Sequence, residues 1–191
     1  MPRPVLTSTR IELRPMTMQH LPLLHGLDSD PLVMEFLLGR ARTPEEIDDF
    51  WAPRCADRLA DETGLGWWVG FEGQTFLGWW DLGRSSSRPD APVDSDQAEI
   101  GWRVMRRHWG RGLATEAALL LLDHGFSTLG LRRIWAETMA ANLASRSVMR
   151  KIGMNHVNTE MRQWDEPLPG ADQGEVLYEI TAAQWNERTA N

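Results

Sequence analysis

Arg103, Arg106, Arg107, His108 and Arg111 fall within nine positions of a chain whose formal net charge is -7. Gly110 and Gly112 sit in the same stretch, just ahead of an apolar helical pattern that opens at Leu113 and Ala114. Glycines let a backbone turn sharply and approach a ligand closely. The first turn of a helix offers N–H groups without intrahelical partners, at the positive end of its dipole. The combination suits an anion, a pyrophosphate in particular, and Arg107 and Arg111 can add charge-assisted bonds. A plain strand-to-helix turn has the same spacing, and a solvated charge run would account for the arginines. It is not a Walker loop, because no Gly-Lys-Ser/Thr closes it, nor a dinucleotide fingerprint, because Thr115 stands where a third Gly or Ala belongs.

Around this turn the sequence reads as alternating strands and helices. Arg10 to Arg14 alternates as a strand ended by Pro15, and Thr17 to Leu27 and Pro31 to Leu38 read as short helices. Thr43-Pro44-Glu45-Glu46 is a capping box, opening a helix expected to run to about Asp61. Gly66 to Phe71 and Thr75 to Leu82 form a hairpin across Glu72-Gly73-Gln74, and Ser85 to Asp96 reads as an exposed loop. Gln97 to Met105 is a strand, Gly112 to Ser127 a helix, Arg133 to Thr138 a strand, and Asn142 to Ile152 a helix capped by Asn142 and stopped by Gly153. Strands at Met154 to Gln163 and Glu175 to Ile180 flank an Asp165 to Gly174 loop, and Thr181 caps a last short helix. The pattern predicts one α+β domain over 1–191, with a largely antiparallel mixed sheet flanked by helices.

Composition narrows the function. The acidic balance argues against nucleic-acid binding, no apolar run approaches a membrane span, and the N-terminus lacks a secretory signal pattern. A cytoplasmic protein is expected. Cys55 is the only cysteine, so neither a disulfide framework nor a zinc cluster is expected, and the five histidines have no metal-ligand spacing.

Arg107, Gly110 and Gly112 match the Arg/Gln-x-x-Gly-x-Gly/Ala signature of the GCN5-related N-acetyltransferase (GNAT) family, which this chain resembles. Asn142-Leu143-Ala144-Ser145 with Lys151-Ile152-Gly153-Met154 is similar to the second family motif, and Thr9 to Pro15 looks like the start of its RimJ/RimL-like branch. The resemblance implies a sheet of about six or seven strands and acetyl-CoA as co-substrate, with no metal. It implies that the strand ending at Val104 and Met105 splays from its neighbour. Cofactor contacts would come from Val104, Met105, Arg107, His108, Gly110, Arg111, Gly112, Leu113, Ala114, Asn142 and Ser145, with the Val104 N–H polarising the thioester carbonyl.

An amine attacks a thioester only when neutral, so a base is needed. Glu99 is the candidate, on the strand face that carries Gln97 and Arg103, opposite Ala98, Ile100 and Trp102; a strand Glu that is solvated, or salt-bridged as to Arg103, is the alternative. Where many family members carry an acidic Tyr, Met149 stands and cannot donate a proton. Ser145 is the candidate for assisting the leaving thiolate, against a serine that merely bonds locally. Tyr178 reads as packing. Trp67, Trp68, Trp79 and Trp80 are adjacent pairs on two strands, so each pair sends one ring to each face, one face core and the other core or acceptor groove. The expected activity is direct acetyl transfer to a primary amine, a protein N-terminus or a small molecule, in a ternary complex that leaves room for a homodimer. A non-catalytic acyl-CoA sensor of the same fold is the rival reading.

Overall fold

The computed structural model describes residues 2–57, 59–83, 96–162 and 167–190. Eight strands, β1 (Leu6–Thr7), β2 (Glu12–Pro15), β3 (Gly66–Glu72), β4 (Thr75–Gly83), β5 (Gln97–Val104), β6 (Arg133–Met139), β7 (Asn155–Glu160) and β8 (Glu175–Thr181), form one sheet in the order β1-β2-β3-β4-β5-β6-β8-β7. Every neighbouring pair is antiparallel except β5 and β6. The helices are α1 (Leu21–Asp28), α2 (Pro44–Cys55), α3 (Leu59–Thr63), α4 (Leu113–Asp123), α5 (Leu143–Lys151) and α6 (Ala182–Thr189).

The alternating side chains of the central strands build two cores. On one face Trp68, Trp80, Leu82, Ala98, Ile100 and Val104 pack with Leu113, Ala117 and Leu121 of α4 and Met149 of α5. On the other, Val69 and Trp79 pack with Leu24 and Leu27 of α1 and Ile47, Trp51 and Cys55 of α2. Each tryptophan pair therefore divides between the faces as its alternation requires. Trp67, Trp79 and Trp51 meet edge to face, with ring centroids 4.8 to 5.3 Å apart, a favoured aromatic geometry. No helix among the described residues is long and apolar enough to cross a membrane.

Several expectations change. The sheet has eight strands rather than six or seven, because the two-residue β1 escapes any periodicity signal. Residues 31–38 are turns, not a helix. The Asp30 carboxylate accepts the Leu32 N–H at 3.0 Å, and the next bonds converge on the Asp30 and Met34 carbonyls instead of forming a ladder. The helix expected to reach Asp61 ends at Cys55, two residues after Pro53, whose missing N–H weakens the last turn, and α3 follows separately. The helix expected to reach Ser127 is α-helical only to Asp123, and 124–128 widen to a π-helical turn. The capping boxes at Thr43 and Thr181 form as read. The loop read at Ser85 to Asp96 lies outside the described residues except for Asp96, as do Gln163 and the start of the Asp165 to Gly174 loop.

Candidate active site

The one parallel junction of the sheet opens into a cleft. β5 pairs with β6 only at Gln97, Ala98 and Glu99, opposite Arg133, Ile134 and Trp135. Beyond Glu99, β5 stays with β4 through Val104, while β6 from Ala136 to Met139 stays with β8. The Met105 N–H donates to the Leu77 carbonyl of β4 at 2.8 Å. Strand alternation therefore aims the Val104 N–H and C=O at the edge that β6 has left. There the Val104 carbonyl accepts the Trp109 indole N–H at 2.7 Å. The expected splay is present, but the Met105 N–H is corrected: it belongs to the sheet, because pairing with β4 runs one residue past Val104.

Both strands run toward the wide end of the cleft, and each leads straight into a helix there. After β5 come the glycine turn and α4. Gly110 and Gly112 hold φ of 74° and 76°, the left-handed region that disfavours any Cβ. A methyl at Gly110 would meet nothing within 4 Å, and one at Gly112 only the tip of Arg10. Gly112 caps α4 without a side chain, leaving the first-turn N–H groups of Leu113, Ala114 and Thr115 for another acceptor. Glu116, one position on, does not fill that role. Burial pushes its carboxyl up, but bonds from Ser8 (2.6 Å) and Arg10 outweigh this and hold it below the usual range. That long-range tie fixes the turn between β1 and β2 against α4.

His108 is buried, its N–H donating to the Met105 carbonyl at 2.8 Å, so this backbone donor too is spent within the turn, a correction to the expected contact. Its ring instead sits between two guanidinium groups, Arg107 Nε at 3.1 Å from Nε2 and Arg111 at 3.2 Å from Nδ1. Desolvation, then the Arg107 and Arg111 charges, push its pKa down, which keeps it a neutral spacer. Arg111 also forks onto Glu72 at 2.7 and 3.0 Å. An exposed pair of this kind holds weakly, so a phosphate could compete for Arg111, while Arg107 pairs with no carboxylate among the described residues.

Across the cleft, β6 leads into α5. The Asn142 side chain accepts the Ser145 N–H at 3.1 Å and donates to Thr138 Oγ1 at 3.1 Å, a true N-cap. Ser145 is half-buried in the first turn of α5. Met149 is buried in the core beneath it, and Tyr178 packs against His156. Cys55 is buried in α2, where burial pushes its thiol pKa up despite the nearby Arg3 charge, the wrong direction for a nucleophile.

Glu99 lies at the apex of the cleft, the last β5 residue paired with β6, on the α1/α2 face of the sheet. Arg103, two rungs along the same face, goes elsewhere than Glu99: its guanidinium bonds the fully buried Asp28 at the end of α1, which also accepts the Trp51 indole N–H at 2.8 Å. This pair locks α1, α2 and β5 together. Between Glu99 and Arg103, opposite Gly101, stands Asp81 of β4, a carboxylate the sequence reading passed over. The signal was available: an Asp two residues after Trp79 must share the face of that ring.

Together these features define an α+β protein with a cleft between two diverging parallel strands and, at its mouth, a left-handed glycine turn that opens a helix. Residues 10–155 match the acetyltransferase (GNAT) domain family, and the chain belongs to that family. It is 38% identical over 188 residues, 96% of this chain and 78% of the relative, to an FsC-acetyl coenzyme A-N(2)-transacetylase of Aspergillus fumigatus. In fold it is similar to a spermidine N-acetyltransferase from Vibrio cholerae in complex with CoA and spermine. That likeness has a TM-score of 0.73 at 15% identity, over 94% of this chain and 99% of the other. It is also similar to RimL, a ribosomal L7/L12 alpha-N-protein acetyltransferase in complex with CoA, with a TM-score of 0.72 at 22% identity, over 95% and 98%. The chain is thus an enzyme of the N-acetyltransferase class.

Proposed function

We propose that the chain, as a single cytoplasmic domain of the RimJ/RimL-like branch, transfers an acetyl group from acetyl-CoA directly to a primary amine. The observation that carries this reading is the cleft itself, with unspent N–H groups at Val104 on one edge and at the start of α4 at its mouth. The residues fit the co-substrate, because left-handed glycines with open space beside them leave room for a pyrophosphate on the helix N-terminus. Arg107, Gly110, Arg111, Gly112, Leu113 and Ala114 would hold that end, and Asn142 and Ser145 would face it across the cleft. Acetyl-CoA, when bound, supplies an activated acetyl group that passes to the amine as the thiol departs.

In this reading the Val104 N–H stabilises negative charge developing on the carbonyl oxygen. Glu99 takes the amine proton, directly or through one water. Ser145 gives a hydrogen bond to the leaving sulfur. Direct attack, without a covalent enzyme intermediate, is supported by Cys55 being buried with its thiol pKa pushed up. The name of the 38% identical relative, which specifies an N(2) position, supports a small-molecule amine as acceptor.

Acetyl-CoA should raise the melting temperature, since a ligand at a hundredfold excess over its dissociation constant stabilises the native state by about 2.7 kcal/mol. No shift at millimolar acetyl-CoA would remove the co-substrate assignment. Ser145→Ala should lower kcat about tenfold with acetyl-CoA affinity held, as expected for a bond made chiefly in the transition state. Equal kcat for variant and parent, in single-turnover measurements, would leave Ser145 as a helix-surface residue.

A further inference from the structure

We infer that Arg10 is a positioning residue for the co-substrate: from the turn between β1 and β2, its guanidinium holds the Arg111–Gly112 peptide so that the Gly112 N–H is presented to the pyrophosphate. The inference rests on the acetyl-CoA reading above and deepens it by naming what keeps the glycine turn in its binding shape. The β1–β2 turn follows the Thr7–Glu12 pair of that ladder and is built around one hydroxyl. Ser8 Oγ accepts the Ile11 N–H at 3.0 Å and the Arg10 N–H at 3.3 Å, while the Ser8 N–H donates to the Ile11 carbonyl at 2.9 Å. The same hydroxyl donates to Glu116 Oε1 of α4 at 2.6 Å. Arg10 takes the other oxygen of that carboxylate, through Nε at 2.8 Å and through Nη2. Two charge-assisted donors on one oxygen fix the plane of the guanidinium. So fixed, Nη1 and Nη2 both donate to the Arg111 carbonyl, each at 3.4 Å.

That carbonyl belongs to the peptide just ahead of α4, and the C=O and N–H of one peptide point opposite ways. Held toward Arg10, the Arg111 oxygen sends the Gly112 N–H away from the β1–β2 turn. No group among the described residues accepts that N–H. Reversed, the same peptide would set a carbonyl oxygen, rather than a donor, against a phosphate. Nothing within the turn prevents the reversal. The rotation runs through φ of Gly112, and glycine takes either sign of φ with little penalty. The Arg111 side chain is engaged on Glu72 and His108, so the hold must come from outside. Arg10 supplies it, its Nη2 only 4.0 Å from where a methyl on Gly112 would stand. Stability alone does not account for the network. The Arg10 and Glu116 side chains keep 43% and 20% of their exposure, and ion pairs in contact with solvent contribute little to a fold.

The test is calorimetric binding of acetyl-CoA to the native chain, to Arg10→Lys, and to the double variant Arg10→Met with Glu116→Gln. S-acetylpantetheine, which carries the thioester arm without any phosphate, is the control ligand, followed by ligand-observed NMR. Lysine keeps the charge of Arg10 but not its fork, and the double variant keeps the net charge of the native pair. A loss in both is therefore a loss of the hold and not of local charge. Each variant should bind acetyl-CoA about 10- to 100-fold more weakly, the scale of one hydrogen bond to a charged group, with S-acetylpantetheine affinity held. The ligand-free melting temperature should fall by no more than about 4 °C, the ceiling for an exposed pair in a chain of this size. Native-like acetyl-CoA affinity in either variant, an equal loss for S-acetylpantetheine, or a larger fall in melting temperature would overturn the proposal while leaving the co-substrate assignment standing. A native chain that binds no acetyl-CoA would strike that assignment itself, and this inference with it.

Discussion

Glu99→Gln should lower turnover at neutral pH by about two to four orders of magnitude, the usual worth of a positioned general base. The substitution keeps size and hydrogen-bonding capacity and removes only the proton acceptor. Its backbone at the last rung of the β5–β6 ladder is untouched, so the cleft should keep its shape. An alkylamine is mostly protonated near neutrality, so the loss should shrink as pH rises toward the acceptor's own pKa, where free amine becomes plentiful. CoA affinity should hold, since the contacts proposed for it lie at Val104, the glycine turn and α5. A loss constant across pH would point to damaged acceptor binding, and full activity would give the proton to another group.

Gly112→Val should remove most acetyl-CoA binding, at least a hundredfold in dissociation constant. That would erase most of the stabilisation of about 2.7 kcal/mol that a hundredfold ligand excess gives the native chain. Two effects act together. At φ of 76° a β-branched residue is strained by about 1 to 3 kcal/mol, and its side chain enters the open space at the start of α4. Melting without ligand measures the first effect, and the size of the ligand-induced shift measures the second. Gly112→Ala, less strained, should give a partial loss in the same order. Normal acetyl-CoA binding by a folded Gly112→Val would place the pyrophosphate elsewhere.

The parts of this site carried by local rules were legible in the residues. The glycine turn, the Asn142 cap and the Thr43 and Thr181 capping boxes each need only a few adjacent positions, and the structure forms them as read. The face of Glu99 followed from strand period alone. What was not legible depends on partners far apart in the chain. Arg103 has its partner 75 residues away in Asp28, and Glu116 binds Arg10 across 106. The Met105 N–H was misassigned because strand alternation gives the direction of a donor only once the last rung of pairing is known. Residues 31–38 failed as a helix because one side chain, Asp30, captured a backbone N–H that a helix would have used differently.

The most direct test of the central claim is release of CoA thiol from acetyl-CoA by the purified chain, measured across a panel of primary amines with mass spectrometry of each amine product. The account predicts amine-dependent release, one acetylated amine per CoA, with no acetyl group retained on the protein. Saturable acetyl-CoA binding with no release for any amine, or release that proceeds through an acetylated protein, would contradict it.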